Sequence, residues 1–340
     1  MKVIPFNIAM QEVHPPQAID AVHTSMAWVD RTLWGRIQVS GADRLRFLHN
    51  QTTNNLESLR PSQGCETVFV TSTGRTIDLV SAYVLEDTVL LLTSPGFDQR
   101  LIEWMDRYIF FADQVELKNI TAQTACLTLM GSHGDALLES WGAGAIVGQP
   151  LNQHQVFSIA GIETRISVGT GLALPGYTLF TAAAEADSLR QLLSAQAPQL
   201  DEAAWEQLRI QQGRPLPDRE LTEDYNPLEA GLWHTISLSK GCYIGQETIA
   251  RLHTYRGVKQ QLWGVRLSRW VEPETPVVAG DEKIGKLTSC VAVPLSPGSE
   301  QGYQGLAYIR TKAVAPGLTV QIGDSQGELV ALPYLSHEYP

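Results

Sequence analysis

The hydrophobic and polar positions of the first half of the chain fall into short blocks that predict alternating strands and helices. Residues 1–27 mix Pro, Gln and His without a period, and Pro15-Pro16 breaks any helix there. An extended arm with one short helix near Ala18–Met26 is expected. Trp34 to Val39 alternates as a half-buried strand does. Ser40-Gly41-Ala42-Asp43 then opens a helix, with Ser40 as the cap, Asp43 in the first turn, and Leu45 and Leu48 facing inward. That helix ends in the polar run His49-Asn50-Gln51-Thr52-Thr53-Asn54, which favours turns and caps. Thr67–Thr71 reads as a strand. Thr76–Leu85 and Thr88–Thr93 read as a hairpin around Glu86-Asp87. A helix over Asp98–Tyr108 places Leu101, Met105 and Tyr108 on one face, and Ile109-Phe110-Phe111 is expected to continue as buried core.

The second half continues the same mixture and then changes. Ala125–Met130 is a predicted strand and Asp135–Ser140 a short helix, and the glycines of residues 142–154 mark a loop. Val156–Ile159 and Ile162–Val168 predict a hairpin, Thr178–Thr181 a strand and Asp187–Ala195 a helix. Asp201 caps a helix that runs through Trp205 and Leu208 to Gln212 and stops at Gly213 and Pro215. Residues 214–226 are rich in Pro and charge and read as a loop over a site. From Gln261 onward only short alternating strands remain: 262–267, 277–279, 283–290, 305–310 and 319–322. They predict a small antiparallel barrel of about 80 residues.

Composition narrows the function classes. A chain of 340 residues suggests two or three domains. Its net charge of −11 gives no overall attraction for nucleic acid or an anionic membrane. No apolar run reaches the ~18 residues of a membrane span, and the N-terminus has no signal or transit pattern, so a cytoplasmic location is expected. The cysteines, Cys65, Cys126, Cys242 and Cys290, are far apart and show neither Cys-x-x-Cys nor zinc-finger spacing. Free thiols and no metal site are expected.

The stretch with most chemistry is Lys240-Gly241-Cys242-Tyr243-Ile244-Gly245-Gln246-Glu247. It places a thiol between an ammonium and an aromatic ring. Lys240 would favour the thiolate, the reactive form. Gly245 fits a sharp turn before a helix over Gln246–Leu252. A buried, inert Cys242 is the competing reading. A Cys-dependent hydrolase would further need a histidine at the thiol, for which His234 and His253 are the sequence neighbours. Asp78, between Ile77 and Leu79, is a carboxylate in an apolar strand and so either a solvated group at a turn or a site residue.

These motifs carry a resemblance. Lys240–Glu247, the segment Asn226-Pro227-Leu228-Glu229-Ala230-Gly231-Leu232-Trp233 before it, Leu48–Asn54 near the start and Gly285-Lys286-Leu287-Thr288-Ser289 near the end resemble, in this order, the folate-binding YgfZ-type proteins of the glycine-cleavage aminomethyltransferase (GcvT) superfamily. The resemblance covers residues 28–322. It implies an α+β fold in three domains around a central cavity, with a C-terminal antiparallel β-barrel. The expected division is an arm at 1–27, a folate-binding region of two interleaved subdomains at 28–257, and the barrel at 258–340.

The resemblance further implies tetrahydrofolate, or a one-carbon derivative, as cofactor. Cys242 is then the working thiol. Lys240, Arg251 and Arg256 are the candidate cations for the folate tail, and Tyr243, Trp233 or Trp28 the stacking surface. Gln211 stands where the family carries a Glu that accepts from the pterin, so either the pterin sits differently or another acid, such as Glu223, Asp224 or Glu229, supplies the missing acceptor. Asp78 stands alone where aminomethyltransferases have two consecutive acids. The implied role is iron–sulfur cluster assembly or repair, with iron–sulfur client proteins or assembly factors as partners and a monomeric state. The alternative is an aminomethyl (one-carbon) transferase, against which stand Cys242-Tyr243, Gln211 and the single Asp78.

Overall fold

The computed structural model describes residues 16–294 and 301–339. The expected arm lies mostly outside them. The first elements are α1 (Pro16–Thr24), β1 (Ala27–Asp30), β2 (Trp34–Ser40), α2 (Arg44–Gln51), β3 (Gly64–Val70), β4 (Thr76–Val84), β5 (Thr88–Pro95), α3 (Asp98–Asp106) and β6 (Glu116–Asn119). Five of these strands form one sheet in the order β3-β4-β5-β2-β6. Its inner face is apolar at alternate positions, including Ile37, Val39, Val80 and Ala82, and Leu48, Leu101 and Met105 of the two helices close over it.

A second set follows: β7 (Thr124–Met130), α4 (Gly134–Ser140), β8 (His154–Ile159), β9 (Ile162–Val168), β10 (Gly176–Ala182), α5 (Ala186–Ser194), β11 (Gln199–Leu200) and α6 (Glu202–Gln212). The second sheet has the order β11-β1-β7-β10-β9-β8. It takes β1 from before the first sheet and the rest from after it, so the two sheets are interleaved in sequence. Then come α7 (Gln246–Thr254), β12 (Gln260–Leu267), β13 (Pro276–Ala279), β14 (Glu282–Pro294), β15 (Gln301–Arg310), β16 (Thr319–Ile322) and β17 (Ser325–Val330). These six strands close into an antiparallel barrel, β12-β15-β14-β13-β16-β17, so no edge is left to pair with another chain.

Several expectations need correction. Ser40 ends β2 and does not cap α2, whose N-terminus at Asp43 has no side-chain cap bond. The Asp43 side chain instead accepts from Gln114 N at 3.0 Å. Phe110 and Phe111 are not core, at 72% and 105% exposed. α3 stops at Asp106, and the turn after it swings both rings outward. β1, β6 and β11, of two to four residues, are too short to show alternation, and the sixth barrel strand, β17, was not expected from the sequence. The helix after the arm lies slightly earlier than expected, at Pro16–Thr24.

α6 joins the halves. Asp201 Oδ1 accepts from Ala204 N at 2.8 Å, and Gly213 ends the helix at φ +91, a conformation that favours glycine. Its buried Arg209 donates to Glu206 Oε2 (2.7 Å), to Glu220 Oε2 (3.1 Å) and to Ser289 Oγ of β14 (3.1 Å). Glu220 Oε1 in turn accepts from Thr288 Oγ1 at 2.8 Å and Ser289 Oγ at 2.6 Å. Charges this deep persist because each is paired and hydrogen-bonded. Arg209→Met leaves Glu220 and Glu206 without this partner and is expected to cost about 3–5 kcal/mol. Urea denaturation at neutral pH checks it. A loss under about 1 kcal/mol would mean that the barrel docks on α6 without this network.

Candidate functional site

The two sheets, the segment after α6 and the tail after the barrel meet at Glu66. It lies in β3 with its side chain almost fully buried. Arg214 Nη1 donates to its Oε1 at 2.9 Å, and Tyr334 OH donates to its Oε2 at 2.8 Å. His234 Nε2, in a short 3-10 turn at Trp233–Thr235, lies 3.4 Å from the same Oε2. Burial alone would raise the pKa of Glu66. The contacts from His234, Arg214 and Tyr334 outweigh it and hold the carboxyl down at about 2. Arg214 is spent on several acceptors, since Nη1 also reaches Gly171 O at 2.9 Å and Nη2 reaches Leu79 O at 3.4 Å. A cavity of about 220 Å³ opens beside this cluster, with Glu66, His234, Tyr334, Tyr83, Asn152 and Arg31 in its walls. A second cavity of about 230 Å³, lined by Trp34, Trp205, Ser94 and Phe97, lies on the other side of Arg31.

Asp78 is close to this centre and shut in. It is fully buried in β4, with Oδ2 accepting from Ser94 N at 3.0 Å and Oδ1 from Ser94 Oγ at 2.7 Å. Burial raises its pKa to about 6, against the opposing pull of the Ser94 bonds and of Arg214. It thus carries a charge at neutral pH at a cost to the fold.

The Lys240–Glu247 stretch is a loop leading into α7. Lys240 Nζ donates to three carbonyl oxygens at the end of α2: His49 O (2.5 Å), Thr52 O (2.7 Å) and Asn54 O (2.7 Å). These are the unpaired carbonyls of a helix C-terminus, which attract cations. Burial pushes the Lys240 amine down to about 7, while the three acceptors use every N–H of the ammonium and so favour its charged form. The Tyr243 ring stands 4.6 Å from the same Nζ. Gly245, at φ +80, turns the chain into α7, where a Cβ would lie 2.7 Å from Thr71 O. Cys242 is exposed. The imidazole beside the loop is neither His234 nor His253 but His49, whose Nε2 lies 4.0 Å from where a Cβ on Gly241 would stand. Burial and the Lys240 charge lower the pKa of His49.

The polar run after α2 bolts this loop to Glu66. Thr53 Oγ1 donates to Thr235 O at 2.8 Å and Ser237 N to Thr53 O at 3.0 Å, which lays residues 235–237 along it. Asn54 holds Lys240 through its carbonyl and reaches Glu66 O with Nδ2 at 2.8 Å. Of the side chains expected from sequence, Lys240, Cys242 and Tyr243 therefore share one loop. Gln211 is half-buried in the last turn of α6, three residues before Arg214, and Arg251 is exposed on α7. Glu223 and Asp224 are exposed, and Glu229 is buried against Asn226 N at 3.2 Å and Arg75 at 3.7 Å. The acid that lines the cavity is Glu66, which the sequence reading passed over. The signal was available, because Glu66 is flanked by Cys65 and Thr67 in an apolar strand, the same argument that singles out Asp78.

Of the other thiols, Cys126 and Cys290 are buried and Cys65 is half-buried. Burial pushes Cys65 up to about 12, and Cys126 and Cys290 to about 11. Among the described residues no group of three or more His, Cys, Asp or Glu is placed to hold a metal ion, and no helix is long and apolar enough to cross a membrane.

Comparison with known proteins adds four findings. Residues 11–240 match the family described as the GCVT N-terminal domain. A chloroplastic protein of Arabidopsis thaliana that carries the name of a transferase is 45% identical over 326 residues, covering 95% of this chain and 74% of its own length. An aminomethyltransferase of Halalkalibacterium halodurans is 26% identical over 326 residues, covering 92% of this chain and 86% of its own. The crystal structure of the glycine cleavage system aminomethyltransferase T from Bartonella henselae superposes with a TM-score of 0.79 at 17% identity, over 96% of this chain and 92% of that one. That likeness establishes the fold.

The state of Asp78 gives a pH test. Its folded pKa, about 6, stands above the ordinary aspartate value of 3.8. The protonated form therefore favours folding, fully below pH 3.8, and this contribution is lost as pH rises through 6. Asp78→Asn keeps an acceptor for Ser94 N and a donor for Ser94 Oγ without the charge. It is expected to stabilise the protein by about 2–3 kcal/mol at pH 8 and to match the wild type near pH 4. Thermal melts across that range check the sign, and a variant less stable at pH 8 would contradict it.

Proposed function

Given that the chain belongs to the GCVT family, we propose that it binds tetrahydrofolate, or a one-carbon derivative of it, in the cavity beside Glu66. The carrying observation is Glu66 itself, a carboxylate kept ionised inside a cavity. A pterin presents N3–H and a 2-amino group side by side, and each Glu66 oxygen, already accepting from Arg214 or Tyr334, keeps a further lone pair with which to accept from them. Gln211 can accept only one of them, and Glu66 supplies the acid that Gln211 lacks. Tyr83 and Tyr334, in the same walls, offer aromatic surface to a flat ring. Gln211 would then meet the ligand from the α6 side and Asp78 would act through Ser94 rather than directly. Lys240 and Tyr243 would hold the thiol loop, and Arg251 would meet the folate tail only outside the cavity.

Two uses of the folate are open to this site. In the first, which draws on the Lys240–Glu247 resemblance to YgfZ-type proteins, Cys242 is a working thiol for iron–sulfur assembly or repair. Its exposure suits a client protein that approaches from outside. In the second, which draws on the relatives named transferases, the protein moves a one-carbon group. The sealed Asp78, with both oxygens on Ser94, weighs against an acid poised at the folate. We read the division at 257/258, the monomeric state and the expected partners in the same spirit. The cytoplasmic location expected from the N-terminus draws no support from the chloroplastic relative.

Titration with reduced folates, followed by tryptophan fluorescence and calorimetry, tests the binding. Saturable binding is expected, weakened about 10-fold or more in Glu66→Gln, measured at a temperature where that variant is folded. No heat and no competition with any reduced folate would overturn it. Cys242→Ser separates the two uses. Its exposed site predicts a melting temperature and folate affinity near those of the wild type, with loss of the thiol-dependent function alone. Turnover of an aminomethylated carrier protein on the order of 10 per second would favour the transferase.

A further inference from the structure

Arg31 follows β1 directly and is 2% exposed. Its Nη1 donates to Thr170 O at 3.0 Å and to Thr128 Oγ1 at 3.4 Å. Its guanidinium carbon lies 3.6 Å from the centroid of the Trp34 ring system and 4.8 Å from that of Trp205. These contacts use one end of the group and its faces. The other edge is free: among the described residues Nε has no hydrogen-bond partner, and Nη2 meets no acceptor.

The neighbouring cation does not resolve this. Arg214 lies over the same Trp34 ring at 5.4 Å, and Glu66 is taken by Arg214. Two buried guanidiniums therefore share one carboxylate. Among the described residues Arg31 has no acid of its own, since Asp30 beside it pairs with Arg190 at 2.7 Å. Burial lowers its pKa to about 10, which still leaves it charged at neutral pH. An unpaired buried charge is costly, and ring faces do not satisfy N–H donors. The Nε–Nη2 edge has the fixed fork geometry that accepts two oxygens of one anion. The residue is in the wall of the cavity beside Glu66, with Tyr83 and Asn152 as further polar neighbours.

We propose that the free edge of Arg31 is an anion site within this cavity, which takes a carboxylate or phosphate group of a small ligand in a two-pronged hydrogen bond. The site stands whether or not the ligand of the cavity is a folate. The cluster then divides its work. Arg214 is held by Glu66 and the Gly171 carbonyl and keeps the wall in place, and Arg31 leaves its edge to the ligand. Trp34 stacks on both and fixes their planes.

The experiment is a series of thermal melts of the full protein with formate, acetate or inorganic phosphate, replacing chloride at constant ionic strength. A saturable rise in melting temperature is expected with at least one anion. A rise with formate or acetate assigns the site to a carboxylate, and a rise with phosphate alone to a phosphate. Arg31→Met should raise the apparent dissociation constant about 10-fold or more. Arg31→Lys keeps the charge without the fork and should weaken binding by a smaller factor, and it carries the test if the Met variant does not fold. No saturable rise in the wild type, or a rise left unchanged in a folded variant, would overturn the site and assign Arg31 to packing against the two tryptophans. Folate titration reads the other proposal separately, so the failure of one leaves the other standing.

Discussion

One buried carboxylate decides how the parts of this protein sit together. Glu66 comes from the first sheet, its partner Arg214 stands 148 residues away behind α6, and Tyr334 is 268 residues away in the tail beyond the barrel. A carboxylate taken out of water is tolerated only where donors replace the water it has lost. That requirement brings the end of α6 and the C-terminal tail to one point on β3. It also keeps the acid ionised. Where the sheets and the tail close around such a group without filling the space, they leave a cavity that is already charged and oriented. Placement of the layers and polarity of the cavity thus have the same physical origin.

A second constraint works beside it. The end of α2 presents carbonyls with no helical partner, and Lys240 satisfies three of them at once. A lysine so engaged is a positioning group for the residues next to it. Its ammonium fixes one side of the loop and Gly245 turns the other into α7, and between them Cys242 is exposed. Asn54 then links the clamp to the backbone of Glu66, so that loop and cavity wall share a framework although they face different surroundings.

Much of the fold was legible because its apolar positions repeat. The hairpin of β4 and β5, the Asp201 cap, the stop at Gly213, the turn at Gly245 and five of the barrel strands all leave local marks. The pieces that escaped leave none. β1 has four residues and β11 two, and what makes them strands is a neighbour elsewhere in the chain. Phe110 and Phe111 were expected in the core on hydrophobicity alone, but an apolar residue past a helix end is buried only if something packs on it. The site divides along the same line. Cys242, Lys240 and Tyr243 could be singled out as candidates because they are contiguous. Glu66, Arg31 and Arg214 make one cluster from three distant segments, and the pairing of charges across such separations has no trace in a single sequence. Arg214 in particular read only as part of a loop over a site, with no partner indicated, because its neighbours in sequence are Pro and charge.

The arrangement of acids narrows the chemistry further. A group that exchanges protons with a substrate must reach it and must have a pKa near the working pH. Asp78, at about 6, meets the second condition, but both of its oxygens are held by Ser94 and it is fully buried. Glu66 lines the cavity with its oxygens on Arg214 and Tyr334, and at about 2 it is too weak a base to take a proton. Neither acid combines access with proton affinity. Both observations favour the proposed role of the cavity, which is to hold a polar ligand rather than to exchange protons with it. The exposed thiol, Cys242, is not among the residues that line it and stands on the clamped loop. The proposed binding site and the thiol occupy different places on one framework, and a partner that brought the two together would do so by approaching the thiol while the cavity kept its ligand.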